Sequence, residues 1–283
     1  MKKLITLATT ILLSFQVAAA QDFSNVKIKT QQVAGNVYML EGMGGNIGVL
    51  ATDEGLVLVD DQFAGLADKI EAAMKDINDA PLKYVVNTHY HGDHTGANAH
   101  FARHAPIFAH ENVRKRVAAN DKQSKADLPV VTYESGVTIY LADETIELMH
   151  LPKGHTDGDS IVYFKNANVL HMGDLFFQGR FPYVDLNAGG TVKGYLANIK
   201  KIAESYPDDV KIIPGHGALA DKTELAKLIA MIEYSIERVQ KALDAGQTEE
   251  AILAAGIGEQ YQQWSWAFIN EERWLKTLIS DLQ

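Results

Sequence analysis

The chain of 283 residues contains no cysteine. That absence excludes disulfides and lipid attachment at a cysteine, and it removes thiolate from the metal-ligand menu, leaving imidazole and carboxylate. Basic residues are in deficit: 26 lysines and arginines face 36 aspartates and glutamates, for a formal charge of −10. Phosphate backbones are bound by basic stripes, so nucleic acid is not an expected partner. The acidity otherwise speaks for solubility. No close internal repeat, linker or low-complexity segment is present.

Lys2 and Lys3 precede an apolar run over residues 4–17, which ends in Ala18-Ala19-Ala20. This pattern reads as a secretory signal peptide over residues 1–20, with Gln21 the new N-terminus. The run falls short of the ~20 residues a membrane span needs. No twin-arginine pair precedes it, which points to export of the unfolded chain. The expected location is the periplasm or the exterior, without lipidation or stable membrane association after cleavage. Cleavage leaves 24 basic against 36 acidic residues, a net of −12. Residues 21–283 are long enough to bury one sizeable core and are read as a single domain.

Alternation and turn residues predict short strands over residues 26–30, 33–40, 46–51 and 55–60. The period then changes: Leu66, Ile70, Ala73, Met74 and Ile77 fit one helix face. A strand over 82–86 follows, then another over 105–109 and a helix over 111–120. The second half repeats the logic, with strands over 137–141, 145–151, 160–164 and 169–172, a helix over 192–204, and a strand over 210–213. Leu225, Leu228, Ile229, Ile232, Ile236 and Val239 mark a long amphipathic helix. A last helix is expected from Tyr261 onward, carrying Trp264, Phe268, Trp274, Leu275 and Leu278. Residues 120–136 carry the weakest pattern in the chain. Strands then helix, twice over, predict two α/β halves whose sheets stack face to face.

The densest chemistry is the segment Thr88-His89-Tyr90-His91-Gly92-Asp93-His94, directly after the strand over 82–86. Three imidazoles and a carboxylate in seven residues serve a fold poorly unless a cation sits among them, and a strand end holds them rigidly. Alternate residues of an extended segment point the same way, so His89 and His91 can share one cation. Asp93 and His94, beyond the glycine, can turn toward a second. Three later segments repeat the strand-end, glycine-turn pattern with one ligand each: Gly154-His155-Thr156, Gly173-Asp174-Leu175 and Gly215-His216-Gly217. His100, His104, His110, His150 and His171 lack such a setting and read as surface or hydrogen-bonded residues.

These five segments in this order, with the Gly44-Gly45-Asn46 turn and the strand ending in Asp60, resemble the metallo-β-lactamase superfamily of metal-dependent hydrolases over nearly the whole mature chain. The resemblance implies an α/β fold, a four-layer αββα sandwich with a dinuclear site at one edge. It implies that His89, His91 and His155 bind one metal, that Asp93, His94 and His216 bind the other, and that Asp174 bridges both. Imidazole and carboxylate donors suit two Zn2+ best, with Fe or Mn as alternatives. The implied reaction is attack of a metal-bridging hydroxide on a small-molecule substrate, with Asp93 able to accept a proton as a catalytic residue.

Several residues around this set admit two readings. Asp60 either orients a ligand imidazole or is a turn or capping aspartate. Residues 176–183, with Arg180 and Tyr183, either wall the substrate pocket or form a structural loop with buried aromatics. Met43 to Asn46 reads as a hairpin turn rather than a flap, Tyr90 is placed near the pocket by position alone, and the C-terminal tryptophans read as packing residues. Zinc β-lactamases typically carry cysteine or another non-bridging residue where this chain has Asp174. The aspartate therefore resembles the glyoxalase II, lactonase, phosphodiesterase and sulfatase branches. The expected function is an exported dinuclear zinc hydrolase of a small ester, lactone, thioester or amide. The alternatives are a zinc β-lactamase, or an iron-dependent oxygen or sulfur redox member of the same fold.

Overall fold

The structure, a computed structural model, describes residues 22–283; the expected signal peptide, residues 1–20, lies outside the described residues. Two sheets form. The first holds seven strands in sequential order: β1 (Lys29–Ala34), β2 (Val37–Glu41), β3 (Ile47–Thr52), β4 (Gly55–Val59), β5 (Leu82–Val86), β6 (Ile107–His110) and β7 (Val131–Tyr133). The second holds β8 (Gly136–Leu141), β9 (Glu144–His150), β10 (Ser160–Phe164), β11 (Val169–His171) and β12 (Lys211–Ile213) in the spatial order β12-β11-β10-β9-β8. β1 to β4 run antiparallel, as short hairpin connections dictate, whereas β4 to β7 are parallel. The β4–β5 crossover carries helix α1 (Ala67–Ile77), and the β11–β12 crossover carries α5 (Val192–Ser205).

The period-2 alternation explains the layering. In β4, Val57 and Val59 join a core with Val162 and Phe164 of β10, between the two sheets. The intervening Leu56 and Leu58 face outward onto Ile70 and Met74 of α1. In β10, Ile161 and Tyr163 face the opposite way, into a third core with Ile199 of α5, with Leu225 and Ile232 of α6 (Lys222–Asp244) and with Trp274 and Leu278 of α8 (Glu271–Leu282). Strands buried on both faces read as continuous apolar runs, and helices cover both outer faces. The result is the expected αββα sandwich. Among the described residues no helix is long and apolar enough to cross a membrane.

Three local expectations change, and short helices appear where none was assigned. The strand predicted over 33–40 is broken at Gly35, whose φ of +52° makes a tight turn between β1 and β2 and pairs Ala34 with Val37. Beyond Gly92 the chain turns into α2 (Gly92–Thr95), followed by α3 (Asn98–Phe101), two short helices to which the sequence reading gave no range. Helix α4 (Glu111–Ala118) stops before residue 120. The last helix does not begin at Tyr261. Residues Glu259–Trp264 form a separate 3-10 turn, and α8 starts only where the Asn270 side chain accepts the Arg273 N–H at 2.9 Å. An additional helix, α7 (Glu249–Ala255), is capped in the same way by Thr248.

Candidate metal centre

Both sheets deliver polar side chains to one edge. The loops after β5, β9, β11 and β12 supply the histidine segment, His155, Asp174 and His216 respectively. Glycines let these loops approach. A Cβ on Gly215 would lie 2.1 Å from Asp174 Oδ1, and one on Gly45 would lie 2.2 Å from Cε1 of His94. The Gly44-Gly45-Asn46 turn is pinned across the edge: the Asn46 amide donates to the carbonyls of Pro214 and Gly217 at 3.0 and 2.8 Å, and Gly45 N–H donates to Asp93 O. It is thus a hairpin turn built into the site.

All seven predicted residues converge, in the two groups expected. Ligand atoms of His89, His91, His155 and Asp174 lie within 4.8 Å of one another, and so do those of Asp93, His94 and His216. Asp174 joins the groups. Its Oδ2 is 3.4 Å from His155 Nε2 and 3.7 Å from His89 Nε2, while its Oδ1 is 3.1 Å from His94 Nε2 and 3.3 Å from His216 Nε2. One carboxylate oxygen therefore faces each group. His89 Nε2, His94 Nε2 and Asp174 Oδ1 are buried without a hydrogen-bond partner. Orphaned buried polar atoms are costly, and these three, His89 Nε2 in one group and His94 Nε2 and Asp174 Oδ1 at the other, fit cations that accept their lone pairs.

The electrostatics agree. Burial, reinforced by the charge on His94, holds the His89 imidazole well below its ordinary range, and burial pushes His155 down to about 4. Both are thus neutral, as ligands must be. Burial opposes ionisation of Asp174, but His216, His94 and His89 overcome it and hold the carboxyl well below the usual carboxylate range. Burial likewise opposes protonation of His216, and Asp174 raises it to about 9. An anionic bridge that draws protons onto its neighbouring imidazoles is a place where positive charge is stabilised.

The groups behind the cluster orient it. Asp60, fully buried, accepts the Thr88 N–H and Thr88 hydroxyl, each at 2.8 Å, and its Oδ2 lies 2.8 Å from His94 Nδ1. This leaves His94 Nε2 to face Asp174, so of the two readings of Asp60 the structure selects imidazole orientation. His155 Nδ1 is 2.7 Å from Tyr183 O, a second such hold. Sequence reasoning missed Asp185, whose Oδ2 accepts the Tyr90 hydroxyl at 2.6 Å and lies 3.0 Å from His91 Nε2. Its only local signal is a capping role toward Ala188 N–H. The five other histidines lie outside the cluster; His171, for example, is held between Asn46 O and Gly173 N–H.

A cleft of about 1010 Å³ opens over Asp93, Asp174 and His216. Residues 176–183 divide between the two readings given above: Phe176 and Phe181 are core, Phe177 stacks on His216 at 5.1 Å, and Arg180 and Tyr183 line the cleft. Tyr90 lines it too. The C-terminal tryptophans also divide. Trp264 and Trp274 are buried, but Trp266 faces the cleft, fixed by its indole N–H on Phe181 O at 2.9 Å and covered by the Arg180 guanidinium at 5.2 Å.

Comparison with known proteins agrees with this geometry. The family model described as the metallo-beta-lactamase superfamily matches residues 40–216. A Caenorhabditis elegans beta-lactamase-like protein 2 homolog is 24% identical over 232 residues, covering 79% of this chain and 73% of that protein. A hydroxyacylglutathione hydrolase of Synechococcus is 26% identical over 216 residues, covering 71% and 78%. Among solved structures, a metallo-beta-lactamase from Pontibacter korlensis superposes with a TM-score of 0.65 at 21% identity, covering 73% of this chain and 99% of that one.

Proposed function

This chain belongs to the metallo-beta-lactamase superfamily and is a metal-dependent hydrolase; from that premise we propose that it is an exported, dinuclear zinc enzyme cleaving a small ester, lactone, thioester or amide. The observation that carries the two-metal reading is the Asp174 carboxylate, with one oxygen toward each histidine group. His89, His91 and His155 would hold one ion, and Asp93, His94 and His216 the other, with Asp174 shared. When bound, such ions supply Lewis-acid polarisation of the scissile carbonyl and an acidified water.

The residues of the chain do the rest. Asp60, Tyr183 O and Asp185 fix the orientation of His94, His155 and His91. Asp93 lines the cleft, with Oδ2 3.4 Å from His216 Nε2 and 3.7 Å from His94 Nε2. It is positioned to take up the proton of the attacking water and return it to the leaving group. Tyr183, Trp266 and Phe268 form an aromatic wall suited to an apolar acyl or ring moiety, excluding water beside the reacting carbonyl. Export rests on the N-terminal pattern of Lys2, Lys3 and Ala18-Ala19-Ala20.

The test is metal analysis of the purified chain, combined with a hydrolysis screen over lactones, thioesters, phosphodiesters, sulfate esters and β-lactams. At least about two zinc ions per chain, and hydrolysis lost on chelation and restored by zinc, are expected. Full hydrolysis by chelated, metal-free protein would sink the proposal. A preference for β-lactams would move the substrate to the resistance branch, and an iron-loaded protein consuming oxygen would replace hydrolysis with redox chemistry.

A further inference from the structure

His100 and His104 lie apart from the seven-residue cluster, on α3 and the turn that follows it. They meet Glu71, which projects from α1. Ligand atoms of Glu71, His100 and His104 all lie within 4.8 Å of one another. We propose that these three residues form a further binding site, for a divalent transition-metal ion of the zinc, copper or nickel class, which ties α1 to the segment following the histidine loop.

Two imidazoles and one carboxylate are borderline donors suited to that class rather than to calcium or magnesium. The four-residue spacing places His100 and His104 on one side of a helical turn, with their rings 5.8 Å apart. Glu71 divides its oxygens: Oε1 takes the Lys75 ammonium at 2.8 Å, and Oε2 faces His100 Nε2 at 2.9 Å. Hydrogen bonds from Lys75 and His100 hold the carboxyl down at about 2, so it is an anion throughout the neutral range. Oε2 and His100 Nε2 are the two atoms an ion would join. The His104 ring is exposed at the mouth of a cleft that Glu71 also lines, which leaves a route for the ion.

One neighbour opposes binding and another supports it. The exposed Arg103 guanidinium contacts His100 Nδ1 at 2.8 Å, which keeps that nitrogen an acceptor and places the ring proton on Nε2. An ion at Nε2 moves the proton to Nδ1 and displaces Arg103. The exposed Asp68 carboxylate, 3.8 Å from Nδ1, must close by about 1 Å to accept it.

The experiment is calorimetric titration of the full chain with Zn2+, alongside variants. The wild type is expected to bind one equivalent more than His104→Ala, with unchanged hydrolysis. Glu71→Gln weakens that equivalent by more than about tenfold, the loss caused even by groups that merely orient a ligand. Arg103→Ala tightens it, an effect opposite to any damage to the fold. His89→Ala retains it while losing binding at the main cluster. The difference is counted between variants, so it holds whatever the main cluster binds. Equal stoichiometry in the wild type and His104→Ala overturns the proposal, and so does a loss of hydrolysis in that variant.

Discussion

The carboxylate of Asp185 lies 3.0 Å from Nε2 of His91, a residue 94 positions earlier in the chain, and the other nitrogen of that ring, Nδ1, lies 2.8 Å from His155 Nε2. The carboxylate thus fixes which face of the imidazole is turned into the cluster. Asp185→Asn is expected to weaken metal binding by about 10–100-fold, the range for lost outer partners of ligand imidazoles. Chelator competition measures it. Tyr90→Phe, which loses only the other donor to Asp185, serves as the contrast and should retain most of the affinity.

Asp60 is the most buried of the orienting groups, and it accepts two donors from Thr88 while facing His94. Asp60→Ala leaves those groups buried and unpaired, and it also places alanine at a φ of +62°. A loss of about 3–5 kcal/mol is expected, the range for breaking a buried charged pair. Urea denaturation checks this, and Asp60→Asn should recover part of it because asparagine keeps an acceptor and tolerates that backbone.

Gly45→Ala probes the turn against the cluster. Its Cβ would stand 2.2 Å from the His94 ring, inside any tolerable contact. The ring must move, so hydrolysis should fall by at least about 100-fold, the scale of a 1 Å misplacement near a reacting centre. Far-UV circular dichroism should remain that of the wild type. Wild-type turnover in this variant would show that the turn yields instead.

Acid stability is expected to depend on His110. Its ring stacks on His150 at 3.6 Å, and burial, followed by the His150 charge, pushes it down to about 4, against the opposing Glu134 carbonyl, Glu111 and Asp157. A base with a lowered pKa in the folded chain binds its proton more weakly there than when unfolded. Its penalty is therefore absent above the ordinary value of 6.5 and grows as pH falls toward 4. His110→Asn, whose Oδ1 takes the place of Nδ1 as the acceptor for Asn112 N–H, should flatten the fall of the urea midpoint across that window. A slope equal to that of the wild type would count against the assignment.

How much of this was legible in the sequence follows from how local each cause is. The strands and the long helix α6 were readable because apolar periodicity is a property of neighbouring residues. The misplaced start of α8 and the unrecognised α7 turned on single capping side chains, Asn270 and Thr248, which a periodicity reading does not weigh. The histidine segment, His155, Asp174 and His216 stood out because ligand side chains on glycine turns at strand ends form a pattern along the chain.

The sequence by itself therefore determined two stacked α/β halves, the donor types and the candidate ligand segments, since alternation, composition and turn chemistry act locally; the four-layer sandwich and the convergence of seven residues were what the family resemblance implied. Only the tertiary structure decided which oxygen of Asp174 faces which histidines, that Asp60 serves His94 and Asp185 serves His91, that Trp266 rather than Trp264 reaches the cleft, and that His100 and His104 find Glu71. Those pairings join residues tens of positions apart, and the packing of two sheets and their helices, which no local pattern encodes, brings them within ångströms of one another.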